Sequence, residues 1–592
     1  MTVQHDFTVN LTAAIPADAS VTLTLADGSQ VVFSAAKGIE LDPFIDPFGG
    51  FTQRAIVCTN PALPDFWAWY RPDLGGVREE WVFEFGNPWA LAAVDMAGYK
   101  AVITTKTGIP ITFNIPYHWW FSRWRWQSDV RPVRADIHDL MEAGLIPFLD
   151  ASMCYGPQYT INAYTPMSLC GIPADQGQTG IYPGIGLITG GQAQYITRHG
   201  PEWLFRNQAE ASGTVQWHVR DPNTRRPFDW CVQYPKATMY SSTVGSPFIR
   251  RTQQTKPDSG HHPSLAYVPY LLTGDLYYLE EQQFLANHIP LQNPPNMRWS
   301  DRGRYCAWPF RSTVQAWLIT PDKVPSWLLP RAAFDIMLAQ QHTIMMSHVN
   351  DTTDPWDTVF HDMMDSGQSS AADPANSGSH VWQTNYTIFA TAWAAGIPSL
   401  RTDWLAVAEW AARNAVDRAS STSGYQRAHP SPYHIRYRNA GALAVAMSGT
   451  DTSLKLQYAD TFAPNESVTI DSETMKLVSS VDGGITWAVT RTAPRAHAVG
   501  AFVYGRKFTS WSDVMKSEIL RKPTAWVAPP TDVMVATNLD YPSNHYAALT
   551  QAVNSRLNVP GLADAQAWFE QQMRSLASTK MIVHDNWCVV KQ

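Results

Sequence analysis

Charge is scarce in this chain, and basic runs are missing. Only 16% of the 592 residues are charged, the formal net charge is −7, and no lysine/arginine cluster builds a cationic face. Neutralising a phosphate backbone needs such a face, so nucleic acid is not an expected partner. No apolar run reaches the roughly 18 residues needed to span a bilayer, and Met1 to Asn10 is polar rather than basic and then apolar. Neither membrane insertion nor a secretory leader is therefore expected. The six cysteines, Cys58, Cys154, Cys170, Cys231, Cys306 and Cys588, contain no CxxC pair. They suggest no zinc ribbon and no disulfide framework, which favours synthesis in a reducing host cytoplasm. Coiled-coil heptads are absent, so nothing specifies a trimer, although a homo-oligomer stays open. No GxGxxG, Walker loop, HExxH or GxSxG occurs in a fitting context, which disfavours nucleotide enzymes, zinc peptidases and α/β-hydrolases.

Aromatic residues are what the chain has in abundance: 25 Trp, 23 Tyr and 23 Phe. Flat rings with a polar edge suit sugar faces, and they equally suit a large core. Trp is seldom fully buried, so clustered tryptophans favour the first use. The chain is 45% apolar, hence globular, and its length predicts about two to four folding units.

Residues 1–125 read as an antiparallel β-sandwich. Alternating runs occur at Phe7–Leu11, Val21–Leu25, Gln30–Phe33, Trp81–Phe85 and Ala101–Thr105, with Asp27-Gly28 as a hairpin turn. Residues 126–447 change to helical periodicity at Asp136–Ala143, Ser264–Leu272, Ser312–Leu318, Arg331–Met346, Tyr386–Ala395 and Asp403–Val416. Long loops (153–185, 220–260 and 350–380) separate them, and a ring of helical hairpins with long loops at one end accounts for both features. Period two returns in a β-module over 448–507, and a helical segment over 508–592 closes the chain. In its last helix Leu562, Ala565, Phe569, Met573 and Leu576 share one face, which must dock on the central helices. The expected class is multidomain α+β.

Two resemblances extend this reading. The segment "ESVTIDSETMKLVSSVDGGITWAVTRTAPRAHAVGAFVY" resembles a small β-domain of tailed-phage virion proteins. The stretches "HHPSLAYVPYLLTGDLYYLEEQQF", "RGRYCAWPFRSTVQAWLITPD" and "WQTNYTIFATAWAAG" look like the α/α-toroid (six-hairpin) proteins that include polysaccharide lyases and glycoside hydrolases. Together they imply a phage or prophage virion-associated protein that acts on a bacterial surface polysaccharide and contacts other virion proteins.

Several constellations carry suitable chemistry. His261 and His262 precede Pro263 at a helix start, whose positive end favours neutral, base-competent imidazoles; a capping loop is the bland alternative. Trp299, Arg302, Arg304, Tyr305, Trp308 and Arg311 combine guanidinium with aromatic planes, and Arg304, Trp308 and Arg311 share a helix face. Such a set suits uronate carboxylates, and equally suits helix-end packing. Trp382, Asn385 and Tyr386 project together just after loop 350–380. With a histidine they meet the needs of β-elimination on a uronate, namely carboxylate neutralisation, a base and an acid. Loop 350–365 holds Asp351, Asp354, Asp357, Asp362 and Asp365, a carboxylate source for a glycosidase or for calcium, though such runs are usually solvated. His218 with Arg220, and Tyr433 with Arg436, complete the candidate substrate-binding groups. The tract "YHWWFSRWRWQ" (117–127) reads best as a hinge between sheet and helices. No cofactor is called for, with a divalent cation left open.

The expected function is depolymerisation of an anionic glycan by β-elimination. Hydrolysis on the same fold and non-catalytic virion binding are the alternatives.

Overall fold

The computed structural model describes residues 15–592 apart from 17, 77, 91–94, 155–159, 174–183, 239–259, 294–297, 300–303, 353–354, 357–377, 433–434, 522–532, 535–539 and 578–584. Among the described residues the fold is mixed α+β, with twelve α-helices and four antiparallel sheets. None of these helices is long and apolar enough to cross a membrane.

β1 (Ser20–Thr24) and β2 (Gln30–Ser34) form the expected hairpin, with Gly28 at φ +84° in the turn, a value that favours glycine. The run Phe7–Leu11 lies outside the described residues. Next come β3 (Ile39–Ile45), β4 (Thr52–Asn60), β5 (Leu63–Tyr70), β6 (Glu80–Phe85), β7 (Met96–Thr104), β8 (Pro110–His118) and β9 (Ser122–Gln127). They make a four-stranded sheet in the order β2-β1-β7-β8 and a five-stranded one in the order β3-β4-β5-β6-β9. Val21, Leu23, Phe33 and Ile103 from the first sheet share a core with Phe66, Tyr70, Trp81, Phe83 and Trp124 from the second.

The five-stranded sheet is buried on both faces, and its period of two sorts the residues cleanly. Phe66, Ala68 and Tyr70 of β5 face the other sheet, whereas Trp67 and Trp69 join the helical core. In β9 Trp124 packs between the sheets, and the alternate residues Arg123 and Arg125 reach across to helices. The aromatic-arginine tract thus joins sheet to helices, as its hinge reading expects.

The helices are α1 (Ile137–Glu142), α2 (Gly190–Arg198), α3 (Trp203–Val215), α4 (Tyr267–Thr273), α5 (Leu276–Leu291), α6 (Arg304–Ile319), α7 (Arg331–Val349), α8 (Val381–Gly396) and α9 (Arg401–Ala419). Later come α10 (Trp511–Arg521), α11 (Asp540–Asn554) and α12 (Leu562–Ala577). α5 is buried along its whole length and α8 nearly so, whereas α7, α9 and α12 each keep an exposed face. α8 is apolar nearly all round and belongs inside, the amphipathic helices belong outside, and α5 is buried with its Glu280 and Glu281 paired to Arg71 and Arg123. α6, α8 and α11 run parallel. Trp308 near the start of α6 meets Tyr386 near the start of α8, Asn544 at the start of α11 donates to Tyr386, and Ser555 beyond α11 abuts Gly396 at the end of α8. The docking face of α12 forms as expected, with Leu562, Ala565, Phe569 and Met573 buried in the helical core and Leu576 packed against it.

Just before α8, β10 (Gly378–Ser379) pairs with β11 (Ile435–Arg436), which lies between α9 and α10 together with a six-stranded sheet. Its strands are β12 (Arg438–Ala442), β13 (Ser453–Lys455), β14 (Ser467–Ile470), β15 (Glu473–Ser480), β16 (Thr486–Arg491) and β17 (Phe502–Lys507), ordered β12-β17-β14-β15-β16-β13. This sheet begins at Arg438, ten residues before the boundary read from the sequence, because β12 pairs with β17.

The reading of the cysteines needs correction. Cys154 and Cys588 form a disulfide across 434 residues of sequence. Beside it Leu149 bridges Val589 and the Val590 amide donates to the Phe148 carbonyl, so the C-terminus is stitched to the segment after α1.

Candidate functional site

Two buried polar assemblies stand out, and they differ in how their charges are compensated. The first fills the interface between the five-stranded sheet and the helices. Arg71 pairs with Glu280; Arg123 with Glu84, Glu280 and Glu281; Arg125 with Glu80, Glu210 and Asp275; Arg220 with Glu84 and Glu280. His218 faces Glu281 at 2.9 Å. Burial alone would raise the Glu281 carboxyl, but Arg123 and His218 outweigh it and hold it down at about 2. Glu280 and Asp275 are likewise driven well below the carboxylate range by their arginines. Carboxylates pinned in the ionised state cannot serve as general acids, and the guanidinia here are already matched by carboxylates of the fold. This places His218 and Arg220 in an internal ionic lattice.

The second assembly lies where the starts of α6, α8 and α11 meet the ends of α5 and α9. It gathers His262, Trp308, Arg311, Trp382, Asn385 and Tyr386 from the sequence candidates. Arg311 is fully buried and donates to the carbonyls of Gly186 and His262, at 2.6 and 2.7 Å, over the Trp308 ring. Burial pulls its guanidinium down to about 9. The Trp308 and Tyr386 rings are 4.8 Å apart, and Trp382 meets Tyr386 edge-on. Asn385 accepts from Arg418 at 2.6 Å, and burial brings that guanidinium to about 10. His262 and His288 share a hydrogen bond between their Nε2 atoms. One ring must supply the proton and the other a lone pair, so at least one imidazole is neutral at that nitrogen.

His288, Arg418, Asn544 and His545 join this cluster without having been singled out by the sequence. His545 donates from Nε2 to the Ala415 carbonyl while Ser431 reaches its Nδ1, which fixes the tautomer; burial and Arg418 keep the ring uncharged. The Asn544 amide donates to the Tyr386 hydroxyl at 3.2 Å. A sequence signal did exist, since Asn544-His545-Tyr546 opens a helix much as Asn385-Tyr386 does, but it lies about 160 residues away along the chain.

Compensation is what sets this cluster apart. Arg311, Arg418 and the neighbouring Arg298 form no ion pair with a carboxylate among the described residues, and carbonyls or amide oxygens take their protons. Asn385 Nδ2, Trp308 Nε1 and Arg311 Nε are buried donors with no hydrogen-bond partner among the described residues. Each such orphan costs about 1–3 kcal/mol. The region is therefore an electropositive, donor-rich interior.

The remaining candidates fall elsewhere. Trp299 packs on Trp230 in a satellite core. Arg436 donates to the Ala440 carbonyl beside the six-stranded sheet. His261 is buried next to His262. Arg304 and Tyr305 open α6, while Arg302, Tyr433, Asp354, Asp357, Asp362 and Asp365 lie outside the described residues; Asp351 is exposed. All candidates whose side chains are described are at most 9% exposed, Asp351 excepted. The cavity lined by Trp299, Phe310, Gln341 and Thr387 holds about 10 Å³, room for a water and not for a sugar. Among the described residues no group of three or more His, Cys, Asp or Glu is arranged to hold a metal ion. Comparison with protein-family models, curated proteins and solved structures returned no match.

Proposed function

We propose that the chain is a phage-associated depolymerase of an anionic bacterial polysaccharide, that its helices form an α/α toroid, and that it cleaves by β-elimination. The observation that carries this reading is the set of buried guanidinia without carboxylate partners beside orphaned donors. Arg311, Arg418 and Asn385 Nδ2 are suited to an oxygen-rich anion, and neither arginine forms an ion pair with a carboxylate among the described residues. β-Elimination needs the uronate carboxylate neutralised, the α-proton removed and the leaving oxygen protonated. Asn385 and the arginines serve the first need. Tyr386, with its hydroxyl held by Asn544, and His262, coupled to His288, serve the proton transfers. The N-terminal sheets, read as a sandwich, and the phage-like six-stranded sheet mount this unit on virion or substrate.

The reading requires the cluster to open, since as folded it is sealed. That closure favours a second reading, a virion structural or receptor-binding protein without turnover. Incubation with purified bacterial surface polysaccharides and polyuronates separates the two. An ultraviolet-absorbing unsaturated product, lost in Tyr386→Phe and reduced in His262→Ala, supports the lyase. Binding without any product across the panel supports the second reading. A plain reducing end without absorbance indicates hydrolysis and overturns the assignment of Tyr386.

A further inference from the structure

The outer wall of the helical layer carries an open cleft of about 490 Å³, bounded by α7, the first turn of α9 and the end of α6. Its size falls within the range of small-ligand sites. Leu338 and Trp404 form the floor, with His342 set edge-on against the Trp404 ring at 5.4 Å. Half-buried Trp317 closes one end, and its indole Nε1 donates to Asp335 Oδ1 at 2.5 Å, which fixes that carboxylate. Asp403 lies on the opposing wall and is exposed. α7 sets Asp335, Leu338 and His342 on one face through three- and four-residue steps, and α9 sets Asp403 beside Trp404.

The lining is acceptor-rich and aromatic, the opposite polarity to the sealed cluster. Two carboxylates repel an anionic sugar but accept from vicinal hydroxyls, and an indole offers an apolar face to the C–H side of a pyranose. We propose that this cleft is a binding site for a neutral oligosaccharide of two or three residues, separate from the buried cluster and independent of whether that cluster turns over substrate.

The test titrates the full chain, followed by tryptophan fluorescence and calorimetry, with neutral trisaccharides of gluco, galacto, manno and rhamno configuration. Trigalacturonate and putrescine serve as anionic and cationic controls. At least one neutral trisaccharide is expected to bind, with affinity falling about tenfold or more in Trp317→Ala and in Asp403→Asn, and unchanged in Tyr386→Phe. Asp403 is exposed, so its variant keeps the test decisive if Trp317→Ala unfolds. No neutral binding, binding indifferent to both cleft variants, or preference for trigalacturonate or putrescine overturns the proposal. Loss of depolymerisation in Tyr386→Phe with cleft binding intact bears on the other site alone.

Discussion

Glu281 shows how a single side chain depends on its surroundings. It is wholly buried on α5, at 2.6 Å from Arg123 and 2.9 Å from His218. Its carboxyl, ordinarily at 4.5, is held at about 2 in the fold. A depressed folded value contributes stability that is complete above pH 4.5 and is lost as pH falls through about 2. Glu280 and Asp275 shift in the same direction and add to the same acid limb. Glu281→Gln removes one of the three carboxylates around Arg123 and the one facing His218, and breaking a buried pair of this kind destabilises by about 3–5 kcal/mol at neutral pH. Urea unfolding of the variant should show that loss near pH 7, and the difference from the parent should shrink as pH drops from 4.5 toward 2. A variant as stable as the parent at pH 7 would show that Glu84 and Glu280 suffice to compensate Arg123. This lattice was invisible in the sequence for a physical reason. Arg123 and Arg125 alternate with tryptophans in one short strand, but their partners Glu210, Asp275, Glu280 and Glu281 come from helices some 85–158 residues away.

Single elements were more readable, because periodicity is local. The stripes of α7, α9 and α12 were recoverable from spacing, as were the hairpin at Gly28 and the strands β13 to β16. Spacing also placed Trp308 with Arg311, and Trp382 with Asn385 and Tyr386. It could not supply Arg418 or His545, which arrive from other helices. The segment from Glu466 to Tyr504 gives an instructive case of a motif explained by an element. Asp471 of the turn after β14 and Glu473, the first residue of β15, grip His497 from both sides, each at 2.8 Å, and Arg491 pairs with Glu473 at 2.7 Å. The Arg491 hydrogen bond, with help from His497, brings the Glu473 carboxyl to about 2. The "AHAVGA" ending is thus tied to the turn by a clasp. His497→Ala removes the imidazole from two carboxylates and should cost about 1–3 kcal/mol locally. Hydrogen exchange should quicken in β14, β15 and the segment near Met447, whose backbone pairs with His497, while α6 and α8 keep their protection. Uniform acceleration across the helices would mean the sheet and helices unfold as one unit.

At the scale of the whole molecule, the C-terminal segment ties together helices from distant parts of the chain. Trp587 stacks on Tyr386 with ring centroids 5.5 Å apart, and Asp585 pairs with Arg198 of α2 at 2.8 Å. One residue further on, Cys588 is bonded to Cys154. The final segment therefore spans from the start of α8 to the end of α2, and the disulfide fixes it there. A crosslink over so long a loop restricts the unfolded chain strongly, for about 2–5 kcal/mol in the entropic account. Cys154→Ser should lower the thermal midpoint, and a reductant should move the parent to the same midpoint without affecting the variant. Because Trp587 covers Tyr386, the variant should also show faster proteolysis of the last residues and an altered tryptophan emission. If Cys154→Ser and reduced parent both melt where the oxidised parent does, the stacking of Trp587 and the Asp585–Arg198 pair hold the terminus unaided. The placement of the terminus then belongs to packing rather than to the covalent bond.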